Sequence, residues 1–253
     1  MTADQAIHAV ELQIGDVRSS AASHPGARRA LNEDALLNRP DLGLWAVADG
    51  AGGHSNGETA ARAVVEALAT IPAALTAAEM LIQVRLRLSA VHETLHEAAS
   101  RLGQGAMMAS TVVVLIARDG HFACLWAGDS RAYLLRGGVV EQLTVDHSLV
   151  QDLLDRGSID AAEAEAHPDA NVITRAIGAT GIELVLDKRM GDVMAGDRFM
   201  LCSDGLVKSL SAPDLQVLLS DGAAADALVG AALERSATDN VTAVVVSVPE
   251  NPI

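Results

Sequence analysis

The sequence predicts an α+β fold in which antiparallel sheets pack together and helices cover their outer faces. Three observations carry that prediction. Apolar runs of strand length recur along the chain, several ending at Asp or Asp-Gly. Two pairs of such runs are joined by tight Gly-containing turns, the mark of hairpins and hence of antiparallel pairing. Between and after them lie stretches with a helical apolar period, whose one-sided stripes need a sheet face to bury against. The chain has 253 residues, half of them hydrophobic but only 2% aromatic, so Ala, Val and Leu must fill the core. That length fits one sizeable domain, taken here as residues 1–253.

The elements follow in order. Residues 35–39 and LGLWAVAD (42–49) read as strands. Residues 57–70 place Ala60, Val64 and Leu68 on one helical face. A long helix follows: Leu81, Val84, Leu88, Val91, Leu95, Ala98 and Leu102 alternate steps of three and four. STVVVLIA (110–117) and FACLWAG (122–128) flank Asp119-Gly120 as one hairpin. RAYLLR and VVEQLT flank Gly137-Gly138 as another. Residues 148 to about 172 are short, charge-rich helical pieces ending in His167-Pro168, an excursion from the core. ELVLD (183–187), DRFMLCS (197–203) and NVTAVVVSV (240–248) complete the strands. Ser211 with Pro213 reads as a helix start, and 223–236 as a further amphipathic helix.

Composition excludes several classes. A net charge of −15 repels nucleic acid and anionic lipid. The longest apolar runs, 112–117 and 241–248, are too short to span a bilayer. Cys124 and Cys202 lie inside apolar strands, as small core residues of a reduced, cytoplasmic protein do. Residues 1–20 lack the basic start and apolar stretch of a signal peptide.

The chemistry sits in the carboxylates. Asp49 ends LWAVAD, Asp204 ends FMLCSD, Asp129 ends CLWAGD, and Asp239 immediately precedes NVTAVVVSV. Glu33 and Asp34 precede another strand. A lone Asp-Gly is usually a turn. Six carboxylates at strand ends, if those ends meet, need protons or cations to coexist. Hard divalent ions prefer such oxygens, and a glycine after the ligand lets its carbonyl reach the ion.

Seven stretches, in order, are GARRALNED (26–34), VADGAGGH (47–54), AGDSRAY (127–133), LTVDHS (143–148), NVITRAIG (171–178), LCSDGL (201–206) and ATDNVTAVVV (237–246). Together they resemble the metal-dependent protein phosphatases, the protein phosphatase 2C family, over about residues 15–248. The resemblance implies a four-layer α-β-β-α sandwich with two Mn²⁺ or Mg²⁺ ions at one end of the sheets. It implies that Asp49 bridges both ions, that the Gly50 carbonyl, Asp204 and Asp239 complete the direct ligands, and that Glu33 and Asp34 hold their waters. Asp129 matches the residue that, with Asp204, holds a third, weaker ion in bacterial members. Arg29, five residues before Asp34, matches the phosphate-binding arginine, whose fork suits two oxygens. The implied reaction is hydrolysis of phosphoserine or phosphothreonine by a metal-activated water, without a covalent intermediate.

One position departs from the family pattern. Eukaryotic members carry a histidine where this chain has Ala51, so the leaving-group acid is unassigned; His54 is the nearest alternative. Residues 148–172 match the family's flap beside the active site. The implied partner is a phosphorylated protein, a Ser/Thr kinase or its target. The run HFACLWAGDSRAYLLRGG (121–138) resembles phosphatases encoded with type VI secretion systems. No extra apolar stripe is visible, so a monomer is expected. Two other readings compete. HETLH (92–96) fits a zinc-peptidase pattern but leaves the six carboxylates unexplained. A catalytically inactive binding module on the same fold would have lost a metal aspartate, and none is missing.

Overall fold

Short apolar and small-residue runs pair into two antiparallel sheets in this computed structural model, which describes residues 7–14, 17–52, 56–103, 105–179 and 183–250. The first sheet runs β1 (His8–Ile14), β2 (Val17–His24), β12 (Val241–Ser247), β11 (Arg198–Cys202), β8 (Arg131–Arg136), β9 (Val139–Gln142). The second runs β10 (Asp187–Asp192), β7 (His121–Ala127), β6 (Val112–Arg118), β4 (Leu44–Ala51), β3 (Asp34–Arg39), with β5 (Ala109–Ser110) paired to the end of β4. Both hairpin turns form as read. Asp119-Gly120 and Gly137-Gly138 all have positive φ, which matches the twist of the strands they join.

The sheets pack face to face. Trp45, Val47, Leu115 and Cys124 of the second sheet bury against Phe199, Leu201, Val244 and Val246 of the first. The rings of Phe122 and Phe199 meet edge to face, 5.1 Å between centroids. Helices α1 (Asn56–Ala69) and α2 (Ala77–Leu102) cover the outer face of the second sheet through Ala60, Val64, Leu68, Met80, Val84 and Leu88. Helices α5 (Asp204–Ser209), α6 (Ala212–Ser220) and α7 (Ala225–Glu234) cover the first through Leu206, Leu215, Leu219, Leu228 and Val229. The result is the α-β-β-α sandwich. Reciprocal capping fixes three helix starts: Thr76 with Glu79 at α2, Asp160 with Glu163 before Ala161–Glu165, and Ser211 with Asp214 at α6.

Four local readings need correction. The strand read at 183–187 begins instead at Asp187 and runs to Asp192. Its sequence, DKRMGD, is charged because β10 is a sheet edge, paired only with β7. The α2 stripe leaves its read course near the end: Ala99 is buried, Ala98 is half-buried, and Leu102 is 58% exposed. Asp204 heads a short helix with Ser203 as its N-cap rather than ending a strand in a loop. The sequence reading also lacks β1 and β2; β2, VRSSAASH, has small polar residues where branched ones signal a strand.

Residues 148–172, with α3 (Leu149–Asp155) and α4 (Ala161–Glu165), leave and return at adjacent points. Leu149 N–H donates to Val172 O (2.9 Å) and Thr174 N–H to His147 O (2.8 Å). Below that junction, Asp187 accepts from Arg175 Nη1 (3.0 Å) and lies 3.1 Å from His147 Nε2. The Gly128 N–H donates to His147 Nδ1 (3.2 Å), so His147 is the tautomer with its proton on Nε2, donating to Asp187.

Candidate active site

Antiparallel register brings the first two carboxylates together. Asp34 of β3 stands directly opposite Asp49 of β4, a like-charge pairing that disfavours the sheet unless something neutralises it. The Asp49 backbone is held from the other side: its N–H donates to Thr111 Oγ1 (3.1 Å), and its carbonyl accepts from Thr111 N (2.8 Å) and Ser110 Oγ (3.1 Å). Thr111 is steadied by Ser130 (2.7 Å). Asp34 Oδ2 accepts from Ser203 Oγ (2.8 Å), while its Oδ1 is buried with no partner.

The loop before β3 is pinned by Asn240. Its Oδ1 accepts from Glu33 N (2.9 Å), and its Nδ2 donates to Pro25 O (3.0 Å) and Leu31 O (2.9 Å). Gly50 N–H donates to Glu33 O (3.1 Å). A Cβ on Gly50 would lie 2.1 Å from Gly57 O, and one on Gly57 would lie 2.6 Å from Glu33 Oε1. Two glycines thus let β4, α1 and the Glu33 carboxylate close together. Glu33 Oε1 is also buried and unpartnered.

The remaining carboxylates arrive from the first sheet and its connections. Asp129 follows β7, Asp204 follows β11 at the head of α5, and Asp239 precedes β12. Asp239 is gripped at both oxygens by Arg29, Nε to Oδ1 (2.9 Å) and Nη2 to Oδ2 (3.1 Å). That bond, with the Asp239 charge, raises the Arg29 pKa further. Of the adjacent pair Arg28 and Arg29, it is Arg29 that makes the fork. Asp204 accepts from Lys208 Nζ, one helical turn on.

Electrostatics shows that these groups form one cluster. Burial and then the charges of Asp34, Asp204, Asp129 and Asp239 drive the Asp49 carboxyl well above the usual carboxylate range. Burial pushes Asp34 up to about 7, with hydrogen bonds from Thr242 and Ser203 opposing and the charges of Asp204 and Asp239 adding. Asp129 rises to about 7 by burial and by the Asp204 charge. Two buried carboxylate oxygens without partners, and a pair of aspartates facing each other, fit hard divalent cations held by oxygen. Among the described residues no three His, Cys, Asp or Glu side chains are already closed around one point. Two of the carboxylates instead carry the chain's own cations, Arg29 and Lys208.

Sequence reading named every one of these carboxylates and Arg29. It missed the polar residues that aim them: Asn240, Ser203, Thr111 and Lys208. Asn240, Ser203 and Thr111 are buried polar side chains sitting one residue from a named aspartate or from the neighbouring strand, and that adjacency was the available signal. The HETLH histidine His92 accepts at Nδ1 from Gly178 N (3.0 Å), a tie between α2 and the chain after the 148–172 excursion. His54 lies outside the described residues.

A family model described as protein phosphatase 2C matches residues 22–242. The serine/threonine protein phosphatase PstP of Mycobacterium tuberculosis is 36% identical over 239 residues, 92% of this chain. This chain spans 45% of the length of that relative. Among solved structures, PppA, a regulatory component of the type VI secretion system in Pseudomonas aeruginosa, superposes with a TM-score of 0.83 at 42% identity, covering 92% of this chain and 98% of PppA. The catalytic domain of PstP in complex with two manganese ions superposes with a TM-score of 0.77 at 33% identity, covering 92% of this chain and 98% of that one. The fold, the ordered carboxylates and these matches together place the chain in the protein phosphatase 2C family.

Proposed function

We propose that this chain hydrolyses phosphoserine and phosphothreonine in proteins, using a pair of divalent ions, Mn²⁺ or Mg²⁺. The observation that carries the reading is the Asp34–Asp49 pairing inside a cluster in which Asp34, Asp49 and Asp129 are driven toward protonation. Only cations let such a cluster remain ionised at neutral pH. Asp49, the Gly50 carbonyl, Asp204 and Asp239 would hold the pair. Glu33 and Asp34 would orient water in its hydration shell.

Ions held there would activate water as the nucleophile at neutral pH and supply positive charge for the phosphoryl oxygens. The chain's own residues do the rest. Arg29 presents a planar fork at the rim of the cluster, half exposed on its side chain, and two of its donors match two phosphoryl oxygens. Released from Asp239, that fork would turn to substrate. Asp49 is held rigidly by Thr111 and Ser110, so its carboxylate keeps one aim through the reaction. Ala51 has no proton to give and so does not serve as the leaving-group acid.

The substrate is a phosphorylated protein, and reversal of a Ser/Thr kinase is the role we assign. PppA's part in type VI secretion suggests the same setting for this chain. We place the protein in the cytoplasm as a monomer. No helix among the described residues is long and apolar enough to cross a membrane. Residues 148–172 act as a flap whose base is clasped by Arg175, Asp187 and His147. The test is hydrolysis of a phosphothreonine peptide by Asp239→Asn and wild type, each with Mn²⁺. Turnover lost in a folded variant supports the reading; turnover retained at the wild-type rate overturns the ligand set.

A further inference from the structure

Lys208 brings a positive charge into the carboxylate cluster from α5. It stands four residues after Asp204, so one helical turn folds its side chain back over that carboxylate, and its Nζ donates to Asp204 Oδ2. The charge of Asp204 acts on the ammonium first, with the charges of Asp129 and Asp239 behind it. An ordinary helical surface pair would not have this setting. The Asp204 side chain is only 16% exposed, and the ammonium acts on three aspartates that come from three different parts of the chain.

Asp129 and Asp204 are the two residues assigned above to a third, weaker ion. A cation tethered four residues away meets them at a high effective concentration and loses no translational freedom on arrival. It also repels a further cation from the same pair.

We propose that Lys208 is a built-in cation at the Asp129–Asp204 pair. It takes the place of a third metal ion and leaves the chain dependent on two. The inference rests on the two-ion reading of the site.

The experiment is calorimetric titration of Mn²⁺ into the metal-free protein. Wild type should bind two ions. Lys208→Gln should bind a third, with affinity at least about tenfold above any third event in wild type, the scale on which groups neighbouring a metal ligand act. Lys208→Arg, which keeps the charge, should behave as wild type. Adding Asp129→Asn to Lys208→Gln should return the count to two. Asp129→Asn alone gives an independent check that does not require the lysine variant to fold: it should leave two ions bound. Equal counts and affinities in wild type and Lys208→Gln would overturn the inference, as would loss of an ion in Asp129→Asn alone. A wild type that binds no Mn²⁺ would instead overturn the two-ion reading itself, so the two failures are distinguishable.

Discussion

Asp49 is a liability to the fold and an asset to the site, and that tension makes it testable. It faces Asp34 across the β3–β4 ladder and feels three further aspartates. Asp49→Asn removes a charge from a crowded cluster. The variant should therefore lose phosphopeptide turnover while the thermal midpoint of the metal-free protein stays level or rises. Arg29, whose fork we propose contacts substrate rather than an ion, should behave differently. Charge-assisted hydrogen bonds contribute about 1.5–3 kcal/mol, so Arg29→Ala should raise KM for a phosphothreonine peptide by roughly ten- to a hundredfold with a smaller change in kcat. Steady-state kinetics separates the two. Asn240 is buried and ties three backbone groups of residues 25–33. Asn240→Ala should lower the unfolding free energy by about 1–3 kcal/mol, read by urea denaturation. At this scale the sequence was legible where charge sat at a strand end. Asn240 and Ser203 were not legible, because a neutral side chain shows its function only through partners distant along the chain.

Elements carry the next level of the argument. The end of β4 meets the start of α1 through Gly50 and Gly57, where a Cβ at position 50 would sit 2.1 Å from a backbone oxygen. Gly50→Ala should therefore separate the strand from the helix and displace the Gly50 carbonyl. Reduced Mn²⁺ affinity by calorimetry, beyond any drop in thermal midpoint, is the expected result. The residues around 148–172 make a second element-scale test. Asp187 ties both His147 and Arg175. Asp187→Ala should speed limited proteolysis within 148–172 and leave the sandwich resistant. Helices and hairpins were readable because their signals are local: a capping residue, a Gly pair in a turn, a stripe of leucines. Strands without a branched apolar run were not. β10 is charged on its open side and β2 is built of Ser and Ala, so what makes them strands is the neighbour they pair with, which lies far along the chain.

The whole molecule gathers charge from both sheets to one place, and its stability should report this. Asp34 and Asp129 stand near 7 in the folded chain without ions, against about 3.9 when unfolded. A carboxyl whose folded pKa is raised favours the fold while protonated. Its contribution is full below about pH 4 and is lost as pH rises through about 7. The metal-free protein should thus lose thermal stability from pH 5 to 7, and the stabilisation given by Mn²⁺ should grow over the same interval. A thermal-shift series with and without chelator reads that difference directly. Layer order and the list of carboxylates were legible in the sequence. Their convergence was not, because it depends on which ends of the two sheets lie together.

The most direct test of the central claim is hydrolysis of a phosphothreonine peptide by metal-stripped protein, with Mn²⁺, Mg²⁺ or Zn²⁺ added back. The account expects turnover with Mn²⁺ or Mg²⁺, none with chelator, and none in Asp49→Asn under any of these ions. Turnover that survives chelation, or that Asp49→Asn retains in full, would contradict it.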